Sequence, residues 1–378
     1  MAVRILAAVA GVVLVVLAFR SVIRTFVLPR SARDGIARYM FALMRLAFAP
    51  ATHPRRAYAT RDGALALLAP VSLLAMLGVW LLLVLLGYGL IYWAIGLGSL
   101  EESLMFSGSS LTTLGFVAAK TVPQATLAVS EAIAGLTLVA LLIAYLPTMY
   151  AAFSKRETAV TMLVARAGNP PSGVQMILRH HRLGRLERMD DLWREWEVWF
   201  AELQETHTSL AALAFFRSPQ PTHSWITAAG ALLDAAALRA STLDLPREPQ
   251  AELTIRAGFL ALQAIADFFN VPYNPLPEPT DPITVRRDEF DDAYDELAAA
   301  GVPLRDRDEA WRGFAGWRVN YDVPLVAIAR IVVAPPAPWS SDRSLLLHPR
   351  KRVPFFARLR GKFSGHEGFE EVPNERTT

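Results

Sequence analysis

The chain contains no cysteine, which excludes disulfides, thiolate metal sites and cysteine nucleophiles. Lysine is nearly absent too: Lys120, Lys155, Lys351 and Lys362 are the only four, and arginine supplies the remaining positive charge of a chain whose net charge is +3. No basic helix or aromatic ribbon stands out in the region that folds, so nucleic acid is not an expected partner. Catalytic motifs are missing as well. There is no G-x-S-x-G, no H-E-x-x-H, no phosphate-binding loop and no G-x-G-x-x-G after a strand, and an enzyme is not expected. His180, His181, His207 and His223 have the spacing of no standard metal site, so neither a metal nor another cofactor is expected.

Charge is also missing from three long runs, and these set the architecture. The first is Ile5 to Phe19, lengthened by Ala2, Val3 and the stretch from Val22 to Leu28. Only Arg4 precedes it, Arg20, Arg24 and Arg30 follow it, and no small-x-small site ends it. It is therefore read as an uncleaved anchor and not as a signal peptide. The second runs from about Leu65 to Leu97, with Pro70 near its start, and the third from about Leu127 to Phe153, with Glu131 its sole charge. Nine arginines lie from Arg20 to Arg61, against Asp34 and Asp62. This bias predicts the amino terminus outside the cell, residues 20–63 in the cytoplasm, 98–125 outside and everything after 154 in the cytoplasm. Ile36 to Phe48 has apolar residues at helical spacing beside Arg38 and Arg45. It reads as an amphipathic helix on the inner membrane surface or as one packed on the soluble half.

Between the second and third runs, Glu101 and Glu102 suit the first turn of a short helix reaching about Leu111. Thr112, Thr113, Leu114, Gly115, Phe116 and Val117 come directly after it. A cation filter turns successive backbone carbonyls toward one axis, which demands angles that glycine reaches without penalty; threonine hydroxyls add a further oxygen layer.

The run Thr112-Thr113-Leu114-Gly115-Phe116 resembles the filter of the potassium-channel pore family, which reads Thr-Thr-Val-Gly-Tyr-Gly-Asp. Glu131, Gly135, Ala140 and Ala144 in the third run, spaced E-x3-G-x4-A-x3-A, resemble the inner helix of the bacterial two-span members. The resemblance covers roughly residues 65–156. Departures from it are Phe116 for tyrosine, Val117 for the second glycine and Ala118 for the acidic residue. A β-branched residue disfavours positive φ, so the outer carbonyl arrangement is expected to be lost at Val117 while Thr113, Leu114 and Gly115 keep the inner one. Thr113 to Phe116 is similar also to the single-glycine filters of Trk/Ktr potassium-uptake subunits. The resemblance implies a homotetramer, potassium as the permeant ion, and an inner-helix gate. Gly135 is then either the gating hinge or a close-packing position, Pro147 kinks the helix near that gate, and Glu131 braces the filter from behind.

Beyond the third run the helix is expected to continue to about Ala167 and stop at Gly168-Asn169-Pro170-Pro171. Helices are then predicted over about 173–184, 190–216 (capped by Asp190 or Asp191), 223–242, 249–270, 286–300 and 306–319, with a proline-rich loop from Pro272 to Pro282. Trp193, Trp196 and Trp199 fall on one helix stripe, read as core or subunit interface. From Leu345 the tail is basic and aromatic; solvated, it is a candidate contact for anionic lipid.

The expected fold is all-α: membrane helices with a re-entrant pore loop, as in a tetrameric cation-channel pore, plus a cytoplasmic helical domain. Its segments are an anchor (1–30), an amphipathic linker (31–63), a pore domain in the bilayer (64–156), the helical domain (157–340) and the basic tail (341–378). The expected function is a passive cation channel, potassium-conducting. The alternative is a non-conducting membrane sensor or scaffold that acts through the helical domain.

Overall fold

The computed structural model describes residues 1–27, 35–53 and 56–342. Arg30, Arg33, Asp34, Arg55 and the basic tail with its expected lipid contact lie outside them. Among the described residues every regular element is helical, apart from an isolated bridge between Leu243 and Leu304.

Three helices are long and apolar enough to cross a membrane, spanning Ala2–Phe26, Tyr58–Ala94 and Val122–Ala167. The first comprises α1 (Ala2–Val22) and a π-turn (Ile23–Val27). On α1, Val3, Ile5, Leu6, Val9, Val12, Val13 and Val16 are exposed, a face that only an apolar solvent suits. Its other face packs on α3 (Tyr58–Ala94) at a crossing of two glycines. A Cβ on Gly11 would stand 2.4 Å from the Gly87 carbonyl, and one on Gly87 would stand 2.8 Å from the Gly11 carbonyl. Small residues let membrane helices approach this closely. Further along the same contact, the indole N–H of Trp80 donates to Ser21 Oγ at 2.9 Å.

Helix α2 (Gly35–Phe48) buries Met40 and sets the Phe41 ring 5.8 Å from Phe215, while Tyr39, Leu43 and Leu46 stay exposed. Both sequence readings of this helix are therefore partly met: one side packs on protein and another is a bare apolar stripe. Helix α3 begins at Tyr58, several residues before the expected start near 64, and it continues through Pro70. Arg61 and Asp62 lower the local hydropathy, but Asp62 is buried in an ion pair with Arg217, and that partner is invisible in a local reading.

Two helices complete the membrane half: α4 (Leu100–Leu111) and α5 (Val122–Ala167). The 46 residues of α5 rise through roughly 69 Å at about 1.5 Å each, far beyond one bilayer core. The helix runs unbroken through Pro147 and ends at Gly168, as its stop signal predicts.

A helical half comes next: α6 (Gly173–Arg182), α7 (Asp190–Ser209), a 3-10 turn (Ala211–Phe215), α8 (Trp225–Ser241), α9 (Pro249–Phe268), α10 (Arg287–Ala299), α11 (Arg307–Arg318) and α12 (Asp322–Ile331). Together with the membrane half, it belongs to one compact unit, Met1–Leu345. Every residue from Trp225 to Arg239 in α8 is buried, as expected for a helix apolar all round that others enclose. Trp193, Trp196 and Trp199 are buried in that core. Three details differ from expectation. The cap of α7 is Met189, with Asp190 and Asp191 inside the first turn. The helix ends at Ser209, not near 216: Leu213 N donates to the Leu210 carbonyl in a 3-10 turn, and Arg156 donates to the carbonyls of Leu213 and Phe216. The unforeseen α12 is apolar on nearly every side, so it carries no periodicity to read.

Charge is buried in this core only where it is paired. Arg318 donates to Asp234 on α8 and, at 2.7 Å, to Asp322, whose carboxylate also takes the backbone N–H and hydroxyl of Thr284. Tyr321 adds its hydroxyl to Asp234 at 2.8 Å. Such a network contributes to fixing which helices meet more than to net stability.

His207 lies under a different constraint. An arginine only donates, so the His207 Nε2 that lies 3.3 Å from Arg156 Nη1 is the acceptor. The ring proton then sits on Nδ1 and goes to the Leu203 carbonyl at 3.0 Å. Burial first, then the Arg156 charge, hold this imidazole well below its ordinary 6.5. The native state thus binds fewer protons than the unfolded chain. Stability is full above pH 6.5 and declines below it, by at most about 1.4 kcal/mol per pH unit. Thermal unfolding of the purified protein should show its melting temperature falling as the pH drops below 6.5, and His207→Gln should flatten that slope. Equal slopes in the two proteins would contradict the assignment.

Candidate functional site

The site is the connection between α4 and α5. Ser99 starts α4 with a reciprocal cap: its hydroxyl accepts from Glu102 N at 3.1 Å, and its own N–H donates to Glu102 Oε2 at 2.7 Å. Glu102 therefore does more than match the helix dipole, and Glu101 remains in the first turn beside it. With 12 residues, α4 is about 18 Å long, too short for a hydrocarbon core of about 30 Å. It is wedged against α3 and α5. Phe106 meets the Tyr92 ring edge-on at 4.7 Å, and Leu104 lies 2.6 Å from where a Cβ on Gly89 would sit.

At the end of α4 the chain doubles back. Gly115 N donates to the Ser109 carbonyl at 3.2 Å, and Val117 N donates to the Ser109 hydroxyl at 3.1 Å. One buried serine thus holds two amides of the segment. The backbone from Thr113 to Phe116 alternates in the sign of φ. Thr113 has φ +60° and Gly115 has φ +67°, with Leu114 negative between them, and Phe116 and Val117 are negative again. The alternation stops at the β-branched Val117, where a positive φ is disfavoured. Thr113 is itself β-branched, so its left-handed conformation carries strain on the order of 1–3 kcal/mol. Among the described residues no donor reaches the carbonyls of Thr113, Leu114 or Gly115. The Thr112 hydroxyl is used locally, donating to the Gly108 carbonyl at 2.6 Å. Residues 112–116 are all exposed in the single chain, Leu114 to 71% and Phe116 to 59%.

Behind this segment lies Glu131, fully buried on α5. It accepts from the Tyr92 hydroxyl at 3.0 Å and lies against the Ser107 hydroxyl, which also reaches the Leu85 carbonyl at 2.9 Å. Its carboxylate therefore ties α5 to α3 and α4 at once. One turn further, a Cβ on Gly135 would stand 2.6 Å from the Leu111 carbonyl, so close approach to the end of α4 by itself accounts for a glycine there. The inner-helix motif divides by face: Glu131 and Gly135 are buried against α4, whereas Ala140, Ala144 and Pro147 are exposed. Lys120 contributes its backbone N–H to the Gln124 side chain at 2.9 Å.

Ser109, Ser107 and Tyr92 are not singled out by the sequence, although a signal for them is present. Hydroxyl groups at 103, 107, 109 and 110 of a short helix set among apolar runs are costly unless they bond. The four histidines do not gather: His207 is turned into α5, and the His180 ring bonds the Met176 carbonyl at 2.8 Å. Among the described residues no group of three or more His, Asp or Glu side chains is placed to hold a metal.

Removing the Glu131 acceptor leaves a buried Tyr92 hydroxyl unpaired, a cost of about 1–3 kcal/mol. Glu131→Leu should therefore lower the melting temperature in detergent clearly, and Glu131→Gln, which keeps an acceptor oxygen, should lower it less. Indistinguishable melting of Glu131→Leu and native protein would contradict the tie. No family model, no curated protein and no solved structure matches this chain.

Proposed function

We propose that the chain is one subunit of a passive cation channel in the cell membrane, with potassium the permeant ion, built as a homotetramer around residues 112–117. One observation carries this reading: the amides of Gly115 and Val117 are engaged by Ser109, while the carbonyls of Thr113, Leu114 and Gly115 have no donor within the described chain. Unpaired carbonyls at membrane depth are costly, and a dehydrated cation is a partner that suits several of them together. The Thr113 hydroxyl stands at the inner end of this set. The length of α4 agrees with a helix that enters and leaves on one side, with its negative end toward the carbonyls.

Four copies supply what one lacks. A single segment encloses no path, and its exposure, together with that of Ile133, Leu136, Ala140 and Ile143 on α5, is what neighbouring copies would cover. The resemblance to the potassium-channel pore family adds the same stoichiometry. In this reading α5 is the inner helix, its exposed face with Pro147 lines the inner gate, Gly135 packs that helix against the end of α4, and Glu131 braces the filter. The arginine bias before α3 puts the helical half in the cytoplasm. Potassium preference then rests on the inner carbonyl layers, because Val117 withholds the outer one.

Potassium flux into proteoliposomes tests the reading. The native protein should conduct. Thr113→Ala, which removes one oxygen layer worth on the order of 1.4 kcal/mol, should reduce flux about tenfold, and Val117→Gly should sharpen the preference for potassium over sodium. Absence of native flux at every pH, voltage and lipid composition, with flux appearing in Val117→Gly, would instead favour the non-conducting sensor or scaffold.

A further inference from the structure

One stretch of the helical half reaches both long membrane helices. Residues 210–217 leave α7, form the 3-10 turn, and lie between the amino end of α3 and the middle of α5. Leu213 and Ala212 are buried there with Leu73 of α3 and with Tyr145 and Met149 of α5, and Phe26 and Phe41 pack against the same cluster. Phe215 meets Phe41 on α2 and, at 5.6 Å, Phe269 just past α9. The Trp225 indole on α8 donates to the Ala214 carbonyl at 3.2 Å.

Two arginines fasten the stretch, one from each direction: Arg156 is buried, and the Arg217 side chain is 10% exposed. Arg156 on α5 donates to the Leu213 carbonyl at 2.8 Å and the Phe216 carbonyl at 2.7 Å, with Glu157 at 2.8 Å balancing its charge and His207 accepting beside it. Arg217, at the end of the stretch, reaches out in return. It pairs with Asp62 and Tyr58 on α3, and it donates to the carbonyls of Val332 at 2.8 Å and Val333 at 3.0 Å just past α12. Val333 is a β-branched residue at φ +53°, a conformation that persists only where its surroundings fix it. Arg217 and the Tyr58 hydroxyl, the latter at 3.3 Å, both bind its carbonyl.

We infer that residues 210–217 are a coupling strut, through which the packing of the helical half sets the spacing between α3 and α5 at the ends of these helices nearest that half, with Arg156 and Arg217 as its positioning residues. A passive surface contact would not require one buried and one largely buried guanidinium group, each engaging backbone carbonyls across different elements. The strut spans Pro147 of α5: Tyr145 and Met149, two residues to either side of it, both touch the strut cluster. A shift of α8, α9 or α12 therefore reaches α5 at that turn. That the turn belongs to an ion gate rests on the channel reading; the mechanical link between the halves does not.

Hydrogen exchange on the full-length protein in nanodiscs separates the two. In Arg217→Gln the amides of residues 145–153 should exchange at least several-fold faster than in native protein, while those of α8 stay unchanged. Asp62→Asn, which keeps the fold of the helical half, should produce the same pattern more weakly. Faster exchange confined to 56–62, 210–217 and 332–333, with 145–153 unaltered, would overturn the strut. Should Arg217→Gln also loosen α8, unfolding is the cause, and Asp62→Asn alone decides. Potassium flux on the same samples reads the other question: altered exchange at 145–153 without flux in any sample leaves the strut standing and removes the channel.

Discussion

Ser109 holds the amide of Gly115 with its carbonyl and the amide of Val117 with its hydroxyl, and the membrane half is organised so that this hold persists. With those two N–H groups fixed on α4, the carbonyls of Thr113, Leu114 and Gly115 have no donor among the described residues. The strained φ of Thr113 is part of the same arrangement, because a segment anchored at 115 and 117 has little freedom to relax at 113. Everything that positions α4 therefore positions these carbonyls: the Ser99 cap at one end, the Leu111–Gly135 approach at the other, and the Glu131 tie to Tyr92 and Ser107 between.

The helical half is joined to this assembly by continuity and by clamps. Helix α5 passes from the candidate inner helix into the core around α8 without a break, and residues 210–217 return to brace it against α3. The buried Arg156 and the largely buried Arg217 use backbone carbonyls as acceptors, so the clamps depend on the path of the main chain more than on side-chain pairing. A domain attached in this way is mechanically part of the membrane half.

The range of the forces involved decides how much of this was legible in the sequence. The three long helices, the short helix after Glu101 and the stop at Gly168 are written in hydropathy, dipole-matched charge and chain-breaking residues, all local signals. The early start of α3 at Tyr58 was hidden, because the desolvation of its charged residues is offset through Arg217, more than 150 positions away. The end of α7 at Ser209 was hidden for a similar reason. Ser209-Leu-Ala-Ala-Leu-Ala-Phe-Phe216 has no helix breaker, and the Arg156 side chain that donates to the carbonyls of Leu213 and Phe216 is more than 50 positions away. At the site itself, Thr113, Gly115 and Glu131 stood out by residue type and spacing. Ser109 did not, since nothing in a run of serines tells which hydroxyl will meet an amide eight residues on.

The proposed channel depends on a path that only further copies of the chain would close. Native mass spectrometry of the protein released from nanodiscs measures it most directly. A dominant species of four chains is predicted, in keeping with the four loops that surround such a filter. A monomer or dimer as the only species would leave residues 112–116 without the neighbours that the mechanism requires, and would contradict it.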